Sequence, residues 1–147
     1  IKKILKKNNF ELNFKNAFEK EVEKTIPPDL LIPEISVDAE IELSDINERL
    51  IRILNQFEPF GPQNMTPVFM CKNVKDTGYG KTIGQSDEHL KLFVKQNNSK
   101  GFGVIGFGLG NKLEVTKNQN PFEIAFCIDE NEFNGNVTVQ LRLKDLR

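Results

Sequence analysis

Two sets of residues in this chain of 147 have the types and spacing to do chemistry: lysines interleaved with aromatic rings, and one histidine beside two acids. Between His89 and Gln96, Leu90, Leu92 and Val94 take one side of a strict alternation, and Lys91, Phe93 and Lys95 take the other. Lysines attract phosphates, and a base can stack on an exposed ring for roughly 1–3 kcal/mol whatever its identity. Tyr79, Lys81 and Phe102 extend such a surface, Lys72 and Lys75 lie on the preceding segment, and Arg142 and Lys144 alternate outward on the last one. The chemistry on offer is capture of a nucleic-acid strand. A plainer reading fits the same pattern: Phe93 covered by a helix over 44–57 or by an upstream part of the protein, and the last polar face simply solvated.

His89 is the only histidine, with Asp87 and Glu88 before it. That excludes multi-histidine metal sites, and a lone imidazole at the start of a strand is expected to be a hydrogen-bonded edge residue. Cys71 and Cys127 are too few and too widely spaced for a disulfide framework or a metal knuckle, so both are expected in the core. Gly101, Gly103, Gly106, Gly108 and Gly110 have neither the Lys-Ser/Thr pair of a P-loop nor a dinucleotide fingerprint; bends and close backbone packing are the expectation. No catalytic residue, metal or cofactor is assigned to the chain itself.

The elements that must position these residues can be read from periodicity. Phe10, Phe14, Phe18, Val22 and Ile26 recur every four residues, predicting a helix over 1–26 with Lys15, Lys20 and Lys24 on the wet face, stopped by Pro27 and Pro28. Alternation from Glu34 to Leu43 predicts a half-buried strand, and Ser44 is placed to cap a helix running to about Gln56 on Ile46, Leu50, Ile53, Leu54 and Phe57. Three prolines and a glycine within 59–67 predict an ordered turn. Beyond it come strands over 68–77, continuing past Gly78 and Gly80 to 83, over 89–96 and over 101–107, then a short helix or crossover over 109–116. Strands over 122–133 and 136–144 follow, joined by the hairpin signal Asn134-Gly135. Five strands with one helical element between the third and fourth describe an OB-fold, a partly open barrel, here preceded by a helix and a strand-helix extension. The class is mainly β with flanking helices.

Net charge is −1, but the distribution is uneven: +3 over 1–25, −6 over 26–65 and +2 over 66–147. Nucleic-acid binding must therefore rest on a local arrangement of lysines. No apolar run is long enough to cross a membrane and the Lys-rich start lacks the features of a signal peptide, so a cytoplasmic protein is expected. The chain opens at Ile1 with an amphipathic helix, which predicts that an upstream part of a longer protein is missing.

Several phrases then fall in a familiar order: Pro59-Phe60-Gly61, Asn64, Pro67-Val68-Phe69, His89-Leu90-Lys91-Leu92, Gly106-Phe107-Gly108, Asn131-Glu132-Phe133-Asn134-Gly135 and Gln140-Leu141-Arg142-Leu143-Lys144-Asp145. Together they resemble the C-terminal region of the RecJ single-stranded-DNA-specific exonuclease family, departing from its usual pattern at Gln63 and Met65. The resemblance implies that residues 1–30 are the closing helix of an upstream DHHA1-type domain. It makes 31–147 the OB-fold domain, with 31–65 as lead-in and 66–147 as barrel. It also implies a parent 5′ to 3′ DNA exonuclease of the DHH family, acting in DNA repair and recombination, whose missing catalytic core uses Mn or Mg. This chain would then be the module that binds single-stranded DNA, with the missing DHH and DHHA1 domains, and single-strand-binding protein, as partners. The alternative is a module docking protein partners or those catalytic domains, which the acidic segment 26–65 favours because it would repel DNA.

Overall fold

The computed structural model describes residues 2–27, 30, 33–117, 120–133 and 135–147. It divides into two compact units, 1–34 and 35–147. The first holds helix α1 (Lys2–Thr25), which follows the four-residue apolar recurrence. Phe14 and Phe18, one turn apart, stack with ring centroids 6.1 Å apart, and both are exposed. Lys24 sits in the last turn, where the helix dipole favours a cation. Pro28 lies outside the described residues.

The second unit begins differently from the alternation of 34–43. Only β1 (Ala39–Glu40) is a strand, pairing in parallel with the start of β2 (Phe69–Asp76). Ile35 and Val37 are exposed and Leu43 is fully buried, so the alternation marks a segment that sinks gradually into the core. With one neighbour only, it has no second ladder to extend it; the Asp38 carboxylate instead accepts from the Val68 amide at 2.8 Å. Ser44 does not cap the next helix. It lies in a 3-10 turn over Leu43–Asp45, and Asn47 caps α2 (Glu48–Asn55), accepting from the Arg49 and Leu50 amides. Ile46, expected on the helix stripe, is buried just before it. The proline-rich turn is ordered by Asn64, whose side-chain amide donates to the carbonyls of Phe57 and Pro59 at 2.7 and 3.0 Å.

β3 (Lys81–Ile83), β4 (His89–Lys95) and β5 (Phe102–Gly106) follow, then a 3-10 turn over Gly110–Lys112 running into α3 (Leu113–Thr116). β6 (Phe122–Phe133) and β7 (Asn136–Leu146) form the last hairpin. Asn134 of the hairpin signal lies outside the described residues; Gly135 has φ +75°, as such a turn requires. The strand order is β1-β2-β6-β7-β5-β4-β3, and β2 also pairs with β4, so β2, β6, β7, β5 and β4 close into a ring. β2 and β3 both lie against β4, acting as one long first strand broken at the glycines. β5 and β7 pair in parallel, as an OB-fold demands of its third and fifth strands.

Inside the ring, Leu90, Leu92 and Val94 meet Phe102, Val104, Phe126 and Leu141, all buried. Each such side chain contributes roughly 1.5–3 kcal/mol by leaving water. Cys71 belongs to this core, whereas Cys127 is buried on the other side of its strand, opposite Arg142. Burial pushes the Cys71 thiol up to about 11 and also raises that of Cys127. Since the thiolate is the reactive form, neither cysteine should react with an aromatic disulfide reagent at pH 8 until urea unfolds the domain. Fast labelling of the folded protein would contradict that burial.

Candidate functional site

The alternation on β4 divides as its sequence requires: Leu90, Leu92 and Val94 point inward, and Lys91, Phe93 and Lys95 point to solvent. The pairing registers bring further cations to that outer face. Lys81 lies directly opposite Lys91, and Lys75 directly opposite Lys95. Like charges facing each other across a ladder are unfavourable, so two such pairs on one face are a local cost in the free domain. Neither Lys81 nor Lys91 belongs to an ion pair among the described residues.

A groove of about 750 Å³ takes in the first of these pairs, its lining including Gly78, Tyr79, Gly80, Lys81, Lys91 and Phe93. Tyr79 is 74% exposed and Phe93 40%. The Phe93 ring rests on Gly101, where a Cβ would come within 2.2 Å of the ring; it is therefore held against the sheet with one side open. Phe93 is not covered by α2. Lysines beside a partly open ring can bind the phosphates and bases of an unpaired strand.

Other predicted residues do not join this groove. Phe102 is 2% exposed, on the inward side of β5 with the Lys100 ammonium 5.0 Å from its ring centre, and is unavailable for stacking. Lys72 is tied to Glu40 at 2.7 Å; the hydrogen bond first, and the charge second, raise its ammonium above the ordinary lysine value. Arg142 Nε lies 3.1 Å from Asp129. Lys144 is exposed on β7. His89 accepts from the Gly108 amide at Nδ1, 3.1 Å away, and its ring meets Phe107 edge-on at 5.2 Å, a structural stitch at the strand edge. Among the described residues no three His, Cys, Asp or Glu are grouped to hold a metal.

A family model described as the RecJ OB domain matches residues 37–145. The chain belongs to the RecJ OB domain family. The single-stranded-DNA-specific exonuclease RecJ of Salmonella typhimurium (strain LT2) is 24% identical over 149 residues, covering 97% of this chain and 24% of that protein. This chain thus spans about a quarter of that relative's length. Two solved structures share the fold. RecJ of Thermus thermophilus in complex with Mn2+ superposes with a TM-score of 0.61 at 20% identity, over 92% of this chain and 18% of that one. The Mg2+ complex from the same organism gives 0.58 at 19%, over 92% and 20%.

Two polar residues of this RecJ OB domain escaped the sequence reading although both fall on the apolar side of an alternation. Gln96 continues the inward row of β4; its side-chain oxygen accepts from the Leu43 amide at 2.9 Å and its amide donates to the Lys72 carbonyl at 2.8 Å. Asp76 continues the inward row of β2. Its carboxylate accepts from the amides of Gly78, Gly80 and Phe93 at 2.8, 3.0 and 3.1 Å. A buried polar group on an apolar row, at the point where two strands diverge, was the available signal. On β7 of the RecJ OB domain, burial pulls the Asp145 carboxyl up, but the Lys112 hydrogen bond and the Leu146 amide outweigh it and leave it below its ordinary value.

Proposed function

We propose that this chain is the single-stranded-DNA-binding module of a RecJ-like 5′ to 3′ exonuclease of DNA repair and recombination, working in the cytoplasm. The observation that supports this reading most is the groove in which Tyr79 and Phe93 stand beside the facing Lys81 and Lys91. The lysines neutralise phosphates and release their counterions; the rings stack bases without reading their identity. Lys75 and Lys95 add a second cationic pair on the same face. Hydrolysis in this reading belongs to the DHH core of the parent protein, with its Mn or Mg. The module's part is to hold the substrate strand while that core acts.

A fluorescence-anisotropy titration of this chain with labelled oligo-dT across a salt series tests the proposal. With four lysines on phosphates, log K should fall against log salt with a slope of about −3, at roughly −0.7 per contact. Phe93→Ala should weaken binding by about 1–3 kcal/mol. An affinity unchanged by that substitution removes Phe93 from the site.

A second reading, a docking module, is favoured by another groove of about 320 Å³ between α2 and β6, where Ile51, Leu54 and Phe69 lie beside Glu58, Asp129 and Glu130. Those acids repel DNA. Absence of oligo-dT binding, together with tight association with the catalytic domains, would select this reading.

A further inference from the structure

We infer that Asp76 is a positioning residue that sets the separation of the two rings in the groove, an inference that rests on the single-stranded-DNA reading above. Its side chain is about nine-tenths buried and stands at the end of β2, where the chain leaves the ring of strands before returning as β3. One oxygen, Oδ2, accepts from the amides of Gly78 and Gly80, which flank Tyr79; the other, Oδ1, accepts from the amide of Phe93 on β4. A single carboxylate therefore holds the backbone of Phe93 and of both neighbours of Tyr79. Tyr79 itself is largely in solvent, so little packing of its own ring can fix it. The Thr77 amide and hydroxyl both bond to the Phe93 carbonyl, tying the start of the bend to the same residue.

Several features support the arrangement. Gly78 has φ +92°, a conformation that L side chains rarely adopt, and Gly80 packs so that a Cβ would sit 3.0 Å from Leu92 and 3.1 Å from Asp76 Oδ2. The bend is thus shaped around the carboxylate. Ionised carboxylates accept only, which suits a cradle of three amide donors. An asparagine in its place would turn a donor towards one or more of those donors and loosen the bend. For binding, the consequence is that the two rings are pre-set, so a strand need not spend ordering free energy on Tyr79 when it docks.

The test exploits a compositional fact: the chain has one tyrosine and no tryptophan, so its intrinsic emission reports on Tyr79 alone. Time-resolved emission anisotropy of Asp76→Asn, with melting and circular dichroism to verify folding, should show faster and wider motion of Tyr79 than in the parent. Oligo-dT affinity should fall about 5–10-fold, and the same substitution placed on Tyr79→Ala should cost little further, since there is then no second ring whose separation from Phe93 the carboxylate can set. Gly78→Ala, which strains the bend without touching the core carboxylate, should reproduce both effects and serves if Asp76→Asn does not fold. Unchanged Tyr79 motion, or an affinity loss equally large with and without the Tyr79 ring, would overturn the assignment. If the parent chain does not bind oligo-dT, the underlying DNA reading fails, whereas binding that both variants leave intact sinks the positioning role alone.

Discussion

Replacing Lys81 and Lys91 together by alanine is expected to weaken oligo-dT binding sharply while leaving the folded domain slightly more stable. The opposite signs follow from one piece of geometry. The two lysines occupy directly opposite positions of the β3–β4 ladder with no acidic partner among the described residues, so in the free domain their like charges are unfavourable. Relief of that repulsion should raise stability by about 0.2–1 kcal/mol, read as a higher urea midpoint. In the complex the same pair would share phosphates, and its removal should reduce the salt slope from about −3 to about −1.4. A purely structural surface predicts neither change; a variant that lost binding because it was less stable would argue against the assignment. Residues that cost stability where nothing in the fold needs them are what a binding site leaves behind.

Gly110→Ala is expected to destabilise the domain by about 3 kcal/mol or more. A Cβ there would lie 1.9 Å from the Asp87 carbonyl oxygen, and the obstacle is backbone that cannot swing aside. Gly110 also donates its amide to the Glu88 carbonyl at 3.0 Å, so the turn before α3 is stitched to the start of β4. Relief would have to come from moving that strand end, which carries the groove's Lys91 and Phe93 further along. Gly103→Ala is the contrast: only the Gln140 side-chain nitrogen lies within 4.0 Å, and its urea midpoint should move by no more than about 0.5 kcal/mol equivalent. Equal effects at the two positions would refute this division of the glycine-rich segment.

Most of the barrel was legible because its strands alternate against one core. The β4 row was read correctly residue by residue, and the five-strand order with a helical element before β6 yielded the OB topology. Alternation reports burial, however, and burial is not pairing. Over 34–43 the apolar side faces inward only near its end, and a strand was expected where a two-residue ladder and side-chain caps exist. Ser44 and Asn47 are both capable caps, and local chemistry does not choose between them; burial of Leu43 and Ile46 does, by holding the chain in a 3-10 turn until Asn47. Phe102 was counted with the open aromatic surface, yet Phe102 and Val104 share the inward row of β5. The cationic site was legible in part. Lys91 and Phe93 stood out, but facing Lys81 to Lys91 needed the register past the Gly78–Gly80 bend, and the Asp76 anchor of that bend needed three amides from two strands.

The measurement that bears most directly on the whole account is titration of this chain's tyrosine emission with oligo-dT at low salt. Tyr79 is the only source of that emission and lies in the groove. Stacking on a base should quench it saturably, with added salt moving the curve to higher oligonucleotide concentration. Emission that stays flat while labelled oligo-dT binds elsewhere on the chain, or does not bind at all, would contradict it.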